Sequence, residues 1–149
     1  MIENMTSINS AVIGLGRMGA FTSQKVIDFA PKCWFPLSHL EALNMIDDVN
    51  ISAICDQNKT MIEQVINHYG EIDSYSSVDK MLESLRFDLV CVATRTPGRA
   101  NLINKCIENG VKALHIEKPL CNSIHELQEL RELTIKKNII LTYGTLRRY

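Results

Sequence analysis

Three stretches of the sequence carry residue types at spacings that can do chemistry. The first, Gly14-Leu15-Gly16-Arg17-Met18-Gly19, places glycine as G-x-G-x-x-G. Between a strand and a helix, the first glycine permits a tight turn, the second lets backbone approach a pyrophosphate, and the third lets helix pack closely on strand. Free N–H groups at the helix N-terminus then hold the phosphate charge. Gly14, Gly16, Arg17, Met18 and Gly19 are therefore the expected phosphate-binding residues. The second is Asp56, after the apolar run Ile51-Ser52-Ala53-Ile54-Cys55. An acid there accepts hydrogen bonds from ribose hydroxyls and repels a 2′-phosphate, so NAD is expected over NADP. Lys59, three positions on, softens that preference and keeps NADP open. The third, Glu117-Lys118-Pro119, sets an ammonium beside a carboxylate directly after an apolar run. Such a pair at a strand end orients a substrate hydroxyl or assists proton transfer, and an ordinary surface ion pair is the plain alternative. Pro119 fixes the turn, and the cis form is open to it.

These residues need elements to hold them. Short apolar runs alternate with amphipathic stretches along the chain, the pattern of a parallel sheet covered by helices. Residues 8–13 read as the first strand, with a helix opening near Arg17 and running to about Ala30, where Pro31 ends it. Residues 51–55 form the second strand. A helix follows with Met61, Ile62, Val65, Ile66 and Tyr69 on its apolar side, stopped by Gly70. Residues 72–75 are a short third strand, and Val78, Met81, Leu82 and Leu85 mark a short helix. Leu89-Val90-Cys91-Val92, within 88–93, reads as a strand buried on both faces. Thr96 and Pro97 suit the N-cap and first position of the next helix, and Gly110 its C-terminal stop. Residues 111–116 are a fifth strand. Ser123 and Glu126 form a capping box for a last helix lined by Ile124, Leu127, Leu130 and Leu133, and residues 139–143 close the pattern. The fold class is α/β: six strands with right-handed crossovers give a Rossmann doubly wound parallel sheet of order 3-2-1-4-5-6.

One segment departs from this regularity. Asp56 stands 42 positions after Gly14, where a dinucleotide fold has about 20. The 31 residues between Gly19 and Ile51 hold the excess around Pro31, Cys33, Trp34, Phe35 and Pro36. They are either a partner-docking patch or a loop with extra helical turns covering the sheet edge.

Composition bounds the rest. The 149 residues fit one domain, 1–149, and apolar residues at 46% with charged residues at 22% are those of a globular chain. A net charge of −1 with interspersed signs gives no electrostatic case for nucleic acid or an anionic membrane. No apolar run approaches the roughly 20 residues of a bilayer span. Residues 1–10 hold Glu3 and no basic segment, so a cytoplasmic protein is expected. Five widely spaced cysteines fit neither a zinc knuckle nor a disulfide framework and read as free buried thiols. No metal-ligand cluster, Walker lysine loop or G-x-S-x-G elbow occurs. His39, His68, His115 and His125 read as structural or surface residues.

Taken in order, Ala11-Val12-Ile13 with the glycine loop, Ala53-Ile54-Cys55-Asp56, Asp88-Leu89-Val90-Cys91-Val92-Ala93-Thr94 and Glu117-Lys118-Pro119-Leu120 resemble the N-terminal domain of the glucose-fructose oxidoreductase, inositol dehydrogenase and rhizopine-catabolism (Gfo/Idh/MocA) family. Residues 143–149, with their Arg-Arg-aromatic ending, are similar to the family segment leaving the sixth strand. The resemblance implies a nicotinamide-dependent oxidoreductase acting on a sugar, cyclitol or related polyol, whose substrate is held largely by a C-terminal domain expected to be absent here. It implies that Lys118 matches the family lysine at the nicotinamide and substrate, flanked by Glu117 and Pro119, and that Thr94 lies along the cofactor. Two positions depart: Arg95 stands where the family usually has Pro, and Arg99 where it commonly has His. Both add positive charge near the cofactor edge. They either favour an anionic substrate or are solvated surface arginines. A freestanding dinucleotide-binding or regulatory module without turnover is the alternative function, as is a pseudoenzyme subunit docking through its last strand and helix. A homo-oligomer stays open among the partners.

Overall fold

Six of the apolar runs become parallel strands: β1 (Ile8–Ile13), β2 (Val49–Cys55), β3 (Asp73–Tyr75), β4 (Leu89–Val92), β5 (Ala113–Ile116) and β6 (Ile140–Tyr143). In the computed structural model, which describes residues 7–144, they form one sheet in the order β3-β2-β1-β4-β5-β6. The expected order is therefore the observed one. Residues 1–6 and the Arg-Arg-aromatic ending, residues 145–149, lie outside the described residues. The helices are α1 (Gln24–Phe29), α2 (His39–Leu43), α3 (Lys59–Tyr69), α4 (Val78–Ser84), α5 (Arg99–Glu108) and α6 (Ile124–Lys137).

Strand periodicity sorts the core into two layers. Val12, Ile54 and Cys91 pack on one face against Leu40 and Leu43 of α2 and Ile62 and Val65 of α3. Ala11, Ile13, Val90 and Val92 face the other way, onto Met81 of α4, Ile103 of α5 and Leu130 of α6. Val90, Cys91 and Val92 are all buried, as the sheet centre demands. Gly70 caps α3 and Gly110 follows the cap of α5, both with a positive φ that glycine adopts without strain.

The first crossover differs from expectation. No helix runs from Arg17 to Ala30. Residues 16–20 make a single turn in which Gly19 and Ala20 N–H donate to the Gly16 carbonyl, and α1 has no buried residue. The turn resumes at α2, because His39 N–H donates to the Met18 carbonyl, Leu40 N–H to the Gly19 carbonyl, and the Ser38 hydroxyl to the Ala20 carbonyl. The crossover helix is thus one helix in two pieces, with residues 21–38 looped out between them. A capping box at Ser38 and Glu41 starts the second piece. Burial alone would raise the Glu41 carboxyl, but hydrogen bonds from Thr22, Ser38 and Leu37 outweigh it and hold the group low. The expected insert is real, and α2 is the part that covers the sheet. Its looped-out part exposes Phe29 and Trp34.

Smaller corrections follow from local geometry. Thr96 and Pro97 do not cap α5, which starts two positions later behind Gly98, whose φ is +78°. Ser123 accepts from Glu126 N–H, but the Glu126 carboxylate returns to Asn122 N–H, so that box is offset by one residue. On α6, Leu130 is buried and Leu133 packs against the core, whereas Ile124 and Leu127 are exposed. Cys55, Cys91 and Cys106 are buried, and burial first of all pushes their thiols up to about 11, 12 and 12. Cys33 is exposed and Cys121 half-buried, against the expectation of five buried thiols.

Candidate functional site

In a parallel sheet every strand ends on the same edge, so the loops after β1, β2, β4 and β5 meet there. The ladder extends one residue past each strand. Gly14 N–H donates to the Cys55 carbonyl, Ala93 N–H to Ile13, and Glu117 N–H to Val92. Gly14, Asp56, Thr94 and Glu117-Lys118-Pro119 are thereby brought to one edge in fixed register.

The three glycines divide their work. A Cβ on Gly14 would lie 2.8 Å from the Ala93 carbonyl carbon, and φ there is +90°. One on Gly19 would lie 1.8 Å from the Gly14 carbonyl oxygen. Both are therefore demanded by the fold itself. Around Gly16 a Cβ would meet nothing within 4 Å, and its φ is not positive. Neither backbone nor packing requires glycine there. Arg17 is exposed and Met18 half-buried beside it. Among the described residues the N–H groups of Gly16, Arg17 and Met18 donate to no acceptor in the chain.

Asp56 lies against this loop. Its Oδ2 accepts from Leu15 N–H at 2.7 Å and its Oδ1 from Asn58 N–H at 2.8 Å. A carboxylate has about four lone-pair sites, so acceptor capacity is left for a hydroxyl. Across the β1/β4 junction, the Thr94 hydroxyl oxygen is buried without a hydrogen-bond partner, while Arg95 is exposed. Lys118 is exposed at the edge, and its peptide bond to Pro119 is cis.

Glu117 forms no ion pair with Lys118 among the described residues. Its buried carboxylate comes 3.2 Å from Nε2 of His39, a buried ring nitrogen with no hydrogen bond of ordinary geometry among the described residues. The His39 ring packs edge-on to His115, whose Nδ1 lies 2.8 Å from the Thr142 hydroxyl. His39 first of all holds Glu117 below the usual carboxylate range, burial opposing. Burial, with His39 second, holds His115 below the usual imidazole range against the pull of Glu117.

The unfolded chain takes up a proton at His115 that the fold resists, so this stability is complete above about pH 6.5 and declines below it. Glu117 acts in the same direction at lower pH, its contribution being lost as pH falls through a folded value lower than that of a free carboxyl. The denaturation midpoint is expected to drop between about pH 7 and pH 5, and less so in His115→Gln. An identical drop in that variant would remove His115 from the account.

Arg99 overturns its sequence reading. It is 3% exposed, so it is neither a solvated arginine nor a charge offered to an anionic substrate. One of its guanidinium nitrogens donates to the carbonyls of Glu117 and Pro119 and the other to that of Thr94. The signal was present, since Arg99 stands four and seven positions before Ile103 and Cys106 on the buried side of α5. His39 was not singled out either, because only the split helix brings it to Glu117.

Comparison with known proteins adds an independent line. The family model for an oxidoreductase family with an NAD-binding Rossmann fold matches residues 8–145. The chain is 28% identical over 138 residues to myo-inositol 2-dehydrogenase of Thermotoga maritima, covering 93% of this chain and 36% of that one. It is 27% identical over 143 residues to the NAD(+)-dependent scyllo-inositol 2-dehydrogenase of Bacillus subtilis, covering 95% and 36%. The fold superposes on scyllo-inositol dehydrogenase of Lactobacillus casei, solved with NAD(H) and scyllo-inositol, with a TM-score of 0.75 at 17% identity, over 95% of this chain and 37% of that one. The chain thus spans little more than a third of the length of these curated relatives. Among the described residues no helix is long and apolar enough to cross a membrane.

Proposed function

The chain belongs to the Gfo/Idh/MocA oxidoreductase family, and from that premise we propose that its sheet edge binds a nicotinamide dinucleotide, NAD in preference to NADP, for hydride transfer involving a sugar, cyclitol or related polyol. The observation that carries this is Gly16. Gly14 and Gly19 are explained by the protein's own packing, whereas a side chain at Gly16 would enter open space, so nothing among the described residues calls for glycine there. The unpartnered Thr94 hydroxyl and the spare lone pairs of Asp56 fit the same occupant.

The Rossmann rule lays a dinucleotide across the point where strand order reverses, here between β1 and β4. The glycine loop, with Arg17 and Met18, holds the pyrophosphate, and Asp56 after β2 accepts from the adenosine ribose. The other half then lies toward Thr94, Arg95 and the Glu117-Lys118-Pro119 turn. The bound nicotinamide supplies the hydride acceptor or donor. Lys118 orients the substrate hydroxyl with its exposed ammonium and takes part in moving its proton. Residues 1–149 act as one dinucleotide-binding domain, with the walls of the substrate site supplied by a second domain.

Titration calorimetry with both cofactors tests the reading. NAD is expected to bind more tightly than NADP, by about tenfold or more, because Asp56 repels the 2′-phosphate. In Asp56→Ala both cofactors weaken, since the Leu15 tether to the glycine loop goes too, and the ratio moves toward one. Tighter NADP binding by the parent chain would reject the role of Asp56 and point to Lys59 as a phosphate ligand.

A further inference from the structure

We propose that Arg99 is a positioning residue for the nicotinamide half of the cleft, fixing the Thr94 loop and the Lys118 turn against each other through their backbone carbonyls. The inference rests on the cofactor reading above and concerns a residue that, being 3% exposed, reaches no ligand itself.

Local rules argue against an arginine here. It is the first residue of α5, behind an N-cap glycine with no side chain to offer, at the positive end of the helix macrodipole where a cation is disfavoured. Among the described residues no carboxylate lies within ion-pair distance of it. A buried charge set against both helix dipole and solvation persists when its hydrogen bonds do something the fold needs at that place. Those bonds go to three carbonyls and nowhere else: Thr94 after β4, and Glu117 and Pro119 after β5. A guanidinium is a planar fork with donors at fixed angles, so one such group spanning two loops sets their separation as well as joining them. Lys118 lies between two of the clamped carbonyls, so its backbone is pinned on both sides while its side chain stays exposed. Thr94 is pinned by its carbonyl while its hydroxyl stays without a partner. The two residues offered to one half of the ligand are thus held by a single buried group. Among the described residues, Asp56 and the glycine loop, offered to the other half, make no hydrogen bond or ion pair with it.

That division gives the test. ADP-ribose carries the adenosine and pyrophosphate, and NADH adds the nicotinamide, whose fluorescence reports its surroundings. The parent chain is expected to bind NADH about tenfold tighter than ADP-ribose, with enhanced fluorescence. Arg99→Ala, shown folded by circular dichroism, should bind ADP-ribose within about threefold of the parent while losing the NADH increment and the enhancement. Arg99→Lys keeps the charge and stem without the fork and serves if the alanine variant does not fold; it too should lose most of the increment. Retention of the full increment and enhancement by either folded variant would overturn the proposal. So would a parent that binds ADP-ribose and NADH equally, with the cofactor reading left standing. A parent that binds neither rejects the cofactor reading itself.

Discussion

Gly19→Ala is expected to lower the chain's stability by about 3 kcal/mol or more. The added methyl would sit 1.8 Å from the Gly14 carbonyl oxygen and 2.9 Å from its carbon, and both belong to backbone rather than to a side chain that can swing aside. Moving that carbonyl moves β1's exit, whose N–H is held by the Cys55 carbonyl, and moving Gly19 instead breaks the bond from Leu40 N–H that joins the two pieces of the crossover helix. Overpacking typically costs about 1–3 kcal/mol, and a backbone overlap of this depth lies at or beyond the upper end. Against a total of roughly 5–15 kcal/mol for a domain, about 3 kcal/mol is between a fifth and more than half of the whole. Urea denaturation followed by circular dichroism measures it. A Gly19→Ala midpoint equal to the parent's would mean that the turn is looser than its geometry.

The second large effect is on rate. The 149 residues by themselves are expected to bind NAD yet oxidise no polyol, sugar or sugar acid at an appreciable rate. Hydride removal from an alcohol carbon needs a base for the hydroxyl proton, and a placed base contributes about 10²–10⁴ in rate. Of the two candidates at the edge, Glu117 is turned inward against His39, and Lys118 stands exposed. With water on that side nothing orients a substrate against it, so the proximity contribution, which reaches about 7–11 kcal/mol in well-oriented systems, is lost as well. Absorbance of reduced nicotinamide, followed with a panel of such substrates, provides the assay. Robust turnover by these residues, abolished in Lys118→Ala, would overturn the view that the substrate walls lie elsewhere.

The strand order was legible from sequence because each strand is a local signal. The four-residue run Leu89-Val90-Cys91-Val92 is apolar throughout only where both faces are covered, and glycines at 70 and 110 mark the ends of α3 and α5. The split crossover helix was not legible, since the bonds that rejoin it link residues 18–20 to 38–40, and no periodicity within either piece reports them. A local clue did exist in Ser38 and Glu41, spaced as a capping box, which marks a helix start well past the glycine loop. Of the residues that the fold brings to one sheet edge, the glycine loop, Asp56, Thr94 and Lys118 had been singled out by motif or resemblance. Arg99 was missed because its charge suggested the surface, while its phase with Ile103 and Cys106 placed it inside. His39 escaped for a different reason: its partner Glu117 is 78 positions away and meets it only through the looped-out segment.

The central claim is that the space at Gly16 belongs to the dinucleotide, and titration of NAD into the parent chain and into Gly16→Ala measures this most directly. A Cβ at that position meets no protein atom within 4 Å, so the variant's denaturation midpoint should match the parent's. Its NAD affinity should nonetheless fall by more than about tenfold, or about 1.4 kcal/mol, because the methyl occupies the path of the pyrophosphate to the backbone. Undiminished NAD binding by a normally folded Gly16→Ala would contradict the account and reduce the glycine loop to a turn.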